Sequence, residues 1–86
     1  MSANIAVLMG KANMNKIIED LIKGFDRDLG CPEVTYFATY RLILQEWGSA
    51  SASMFANIID ATDDCFYIPK CISGEDAIKQ VKEAKV

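Results

Sequence analysis

Histidine is absent from the 86-residue chain, which removes imidazole general-base catalysis and most zinc sites together. No apolar run approaches the roughly 18–20 residues of a membrane-spanning helix, so no membrane partner is expected. The opening stretch MSANIAVLMG lacks a basic n-region and reads as a strand, not as a signal peptide. Clustered positive charge is missing too. Nine basic residues face twelve acidic ones for a net charge of −3, and the lysines are scattered. Phosphate neutralisation needs clustered Lys and Arg, so nucleic acid is not expected as a partner. Cysteine is scarce and odd in number, at three, with no C-x-x-C pair. That argues against a dithiol motif or metal knuckle and for free thiols in a reducing compartment, with the cytoplasm as the default address.

What is present is a chain 51% hydrophobic, enough for one small domain over residues 1–86 with a thin core. Such a fold often gains stability as a homo-oligomer. The run NIAVLMG, 4–10, reads as a buried strand. Residues 12–30 follow as a helix, with Asn13 as cap and Gly30 as stop, and with Met14, Ile17, Ile18, Leu21, Ile22, Phe25 and Leu29 on one face. EVTYFAT, 33–39, is β-branched and aromatic and reads as a second strand. A short helix is favoured over strand extension for 40–47. GSASAS, 48–53, is a linker or a cap for a helix over MFANIIDATDD. CFYIP, 65–69, reads as the third strand, and Ser73 opens a last helix with Asp76 three residues on. The βαβαβα order predicts a small three-layer α/β fold, with a short, mainly parallel sheet flanked by helices. The exposed edges of so small a sheet again favour self-association.

In such a sheet, ligands bind beyond the carboxyl ends of the strands. That topology would gather Lys11, Arg41, Lys70 and Cys71. Cys71 is the candidate nucleophile, because the helix start at Ser73 and the charge of Lys70 both favour a thiolate. The competing reading is that Cys71 is a small packed hydrophobe. Lys70, Lys11 in GKAN and Arg41 after TYFATY are candidate anion-binding residues. For Lys11 and Arg41, a solvated lysine and a stem-packed arginine are the alternatives. Neither G-x-G-x-x-G nor G-x-x-x-x-G-K-[ST] occurs. Cys31 and Cys65 are weaker candidates, Cys65 as core. Asp60, Asp63 and Asp64 read as a solvated helix end and not as a calcium site. No cofactor and no metal are expected.

Taken together, NMNKIIEDLIKGFDRDLG, EVTYFATYRLIL and MFANIIDATDDCFYIPKCIS resemble the DsrE/DsrF-like proteins of sulfur relay and sulfur oxidation. Glu33, Val34, Thr35, Phe37, Thr39 and Tyr40 fall in step with that family's second strand, and Cys71 falls at its cysteine. The likeness covers most of residues 4–73. The chain departs from it in being shorter, with no further strand after the last helix. The resemblance implies a cysteine that accepts sulfane sulfur as a persulfide and passes it between a donor and an acceptor protein. The alternative is a non-catalytic oligomeric interaction module, with Trp47, Tyr36, Phe37 and Tyr40 supplying interfaces, or a ligand-binding module.

Overall fold

The helix expected over residues 12–30 neither begins at Asn13 nor runs on to Gly30; it ends at Lys23 and reaches back through the apolar stretch before it. In the computed structural model, which describes the backbone of residues 2–84 and the side-chain surroundings of residues 13–84, α1 spans Ser2–Lys23. The expected strand at 4–10 is therefore helical. A short continuous apolar run has no period of its own, and no proline interrupts it. Ile18 and Ile22 are fully buried, as is Phe25 just past the helix end.

The second expected strand is also a helix. α2 spans Glu33–Trp47, starting directly after the extended Pro32 (φ −72°, ψ 165°). Glu33 lies in the first turn, where a carboxylate suits the positive end of the helix dipole. Thr39, Ile43 and Trp47 are buried at four-residue spacing. A strand would put Arg41 and Gln45 on that same face, and both are exposed. The buried Thr39 hydroxyl donates to the Thr35 carbonyl at 2.8 Å, which satisfies it within the helix. Tertiary packing here overrides β-propensity.

Gly48, at φ 104°, breaks the chain between α2 and α3 (Ser49–Ile58). The serines of 49–53 thus lie inside α3 and do not cap it. The chain then forms the antiparallel hairpin β1 (Asp60–Thr62) and β2 (Cys65–Tyr67). Asp63 and Asp64 both have positive φ (49° and 66°), the two-residue mirror-image turn that matches strand twist. Cys31 bridges the free edge of β2: its N–H donates to the Phe66 carbonyl at 2.8 Å, and Phe66 N–H returns the bond at 2.7 Å. α4 (Gly74–Glu83) closes the described chain.

Over the described residues the architecture is thus four helices and one small hairpin. The three-layer α/β fold with a parallel sheet is not what forms, because two of its three expected strands are helical and the third pairs antiparallel with its sequence neighbour. The core lies among the helices. Phe25 meets Phe55 edge-on with ring centroids 5.4 Å apart, and Ala77, Ile78 and Val81 seal it from α4. Tyr36 stacks on Phe55 and on Phe66, at 5.5 and 4.5 Å, tying α2 to α3 and the hairpin. Trp47 Nε1–H donates to Asn15 Oδ1 at 2.8 Å, and Lys82 lies 5.7 Å from the Trp47 ring centroid while pairing with Glu19. Trp47 is therefore a core residue joining three helices. Among the described residues, no helix is long and apolar enough to cross a membrane.

Candidate functional site

Lys70 and Cys71 sit in the turn that leads into α4, and both are exposed. The turn is held by Ile72 N–H donating to the Pro69 carbonyl at 3.1 Å. Ser73 is extended and its Oγ accepts from Asp76 N–H at 3.1 Å, the side-chain cap its spacing predicts. A hollow of about 290 Å³ beside this turn is lined by Asp26, Arg27, Asp28, Lys70, Ser73 and Gly74 among others. Its charges are mixed, and Cys71 is not part of its wall. Arg41 lies on α2, in the wall of a different hollow. Lys11 falls within α1, and its side chain lies outside the described residues. Among the described residues the parallel-sheet edge expected to gather Lys11, Arg41, Lys70 and Cys71 is absent; Lys70 and Cys71 adjoin through the sequence, while Arg41 lies on α2.

The other two thiols are half-buried and free. Cys31 Sγ donates to the Gly24 carbonyl at 3.2 Å. Burial, and secondarily the neighbouring Cys65, push its thiol pKa up, so it holds less thiolate near neutrality than an ordinary cysteine. Cys65 packs against Gly30, where φ is +65° and an added Cβ would collide with Cys65 Sγ. Among the described residues no group of three His, Cys, Asp or Glu side chains is placed to hold a metal.

The most distinctive surface is the outer side of α2. Val34, Phe37 and Leu44 are 73%, 54% and 43% exposed, and Arg41 is exposed between the last two. Positions 34, 37, 41 and 44 follow the three-four-three spacing of a helix–helix seam. Glu33, Val34, Phe37, Ala38 and Arg41 together wall an open hollow of about 520 Å³, so the stripe from Val34 to Arg41 is one contiguous surface. Among the described residues the one ion pair is Lys82 with Glu19, so neither Glu33 nor Arg41 pairs with another described charge. Sequence reasoning named Phe37 and Arg41 separately and missed Val34 and Leu44. The available signal was a second apolar stripe, roughly two-fifths of a turn away from Thr39, Ile43 and Trp47.

No protein-family model matches this chain, and no match is found among curated proteins or solved structures.

Proposed function

We propose that this chain is a non-catalytic helical interaction module that takes a partner helix against the outer face of α2. The observation that carries the reading is the exposed Val34–Phe37–Leu44 stripe on a helix whose other side is already buried in the core. Covering a large apolar side chain is worth about 1.5–3 kcal/mol, and helix-in-groove recognition uses this kind of anchor spacing. A chain carrying Val34→Lys, Phe37→Lys and Leu44→Lys tests it at dilute concentration. Unfolding like the parent is expected, because a free docking face does no intrachain work. A loss above about 2 kcal/mol would mark the stripe as core and end the reading.

A second reading is favoured by one observation: Cys71 is the exposed thiol of the three, two residues before the Ser73 cap. Here the Cys71 thiolate attacks a sulfane sulfur and displaces the donor's leaving group. The resulting persulfide then gives its outer sulfur to an acceptor thiol on a partner protein, as the resemblance to sulfur-relay proteins implies. Intact mass after incubation with a sulfane-sulfur donor should rise by about 32 Da, and Cys71→Ser should abolish the gain. A gain that survives Cys71→Ser would dismiss Cys71 as carrier. A cytoplasmic address belongs to both readings and rests on the three free thiols.

A further inference from the structure

We propose that the helix taken up by this face is α2 of a second copy, packed antiparallel about a two-fold axis at Phe37. This rests on the interaction-module reading and names its partner.

Charges along the stripe are self-complementary. Glu33 lies four residues before Phe37 and Arg41 four after, about 6 Å to either side at the helical rise. Antiparallel pairing centred on Phe37 sets Glu33 of each copy opposite Arg41 of the other. Two ion pairs then flank one apolar centre. Parallel pairing would set Glu33 against Glu33 and Arg41 against Arg41, so the charges select the antiparallel orientation. Both residues wall the same hollow as Val34, Phe37 and Ala38, so the charges border the apolar surface. Ala38 beside the axis is small enough to let the helices approach. Leu44 extends the stripe towards the second copy's turn that carries Leu29, which is 76% exposed. The seam spacing suits a shallow crossing near +20°, which keeps both helices in contact along the whole stripe. A two-fold interface of this kind uses the same patch twice and closes. A single helix pair buries less than about 1,200 Å², so the dimer belongs to the dissociable class.

Sedimentation equilibrium over a concentration series at low salt tests this, with circular dichroism confirming that each variant is folded. The wild-type chain should dimerise. Glu33→Arg and Arg41→Glu should each weaken association at least tenfold, because each replaces two opposite-charge contacts with two like-charge ones. An equimolar mixture of the two variants should recover heterodimer, and the double charge swap should dimerise like wild type. A wild type that stays monomeric to about 1 mM, or variants that mixing and the double swap fail to restore, would overturn the self-pairing. If the triple lysine variant of the outer face still unfolds like its parent, self-pairing alone fails and a different helix is the occupant. If that variant unfolds, the docking reading falls as well.

Discussion

On the inner side of α2, Thr39, Ile43 and Trp47 are closed off from water, while on its outer side Val34, Phe37 and Leu44 stay open to it. The two stripes are similarly apolar, and they share one stretch of backbone. The inner stripe has something to meet: Phe55 and Phe66 stack on Tyr36, and Asn15 and Lys82 attend Trp47. The outer stripe touches the inner one only where Phe37 meets Tyr36 edge-on at 5.5 Å among the described residues, and otherwise lies open. A helix apolar on two sides is either buried all round or built to be covered by something else. Exposure, not composition, separates those cases.

The comparison is broken most sharply by paired truncations. Ile43→Ala should cost about 2–5 kcal/mol in denaturant unfolding, since it opens a cavity in a sealed core. Leu44→Ala, one residue along, should change stability by less than about 0.5 kcal/mol in dilute solution. Comparable costs at the two positions would contradict the assignment of faces.

Within the covered region, Ser51 tests how dry the core is. It is fully buried on α3 and its Oγ has no hydrogen-bond partner among the described residues. Ser51→Ala should raise stability by about 1–3 kcal/mol, the cost of desolvating an unsatisfied hydroxyl. Ser73→Ala removes the cap on α4 and should cost about 1 kcal/mol, read as an earlier unfolding midpoint.

The smallest effect is on pH dependence. Burial first, then Tyr40, raises the Tyr36 hydroxyl pKa on the inner side, and burial with Cys65 raises the Cys31 thiol. Raised values favour the neutral forms in the folded chain. Their contribution is therefore intact below the ordinary values of 9.0 for the thiol and 10.0 for the phenol. It is lost as pH climbs through the raised folded values. Stability should fall above that range, and less steeply in Tyr36→Phe and Cys31→Ser.

Local signals were legible in the sequence. Ser73 and Asp76 announced the α4 cap, Ile18 and Ile22 announced the buried face of α1, and residues 40–47 favoured a helix over a strand; Ile17 and Leu29, placed on that same face by spacing, are exposed. Residues 33–39 were misread because apolar side chains on both sides of α2 erase the 3.6-residue contrast, leaving only β-branched and aromatic composition. The hairpin was hidden for another reason. Asp63 and Asp64 form its turn without the glycine that usually marks one, directly after the helical stripe of α3. The surroundings of Cys71 were readable because a turn and a cap are local. The gathering of Lys11 and Arg41 around it was not, because it depended on a sheet that does not form.

Hydroxyl-radical footprinting of the dilute folded protein tests the account most directly. The free outer face predicts that Phe37 is oxidised at least tenfold faster than Phe25 and Phe55, both closed to water. Phe37 protected at dilution as well as those two core rings would show the face already covered within its own chain, and would contradict it.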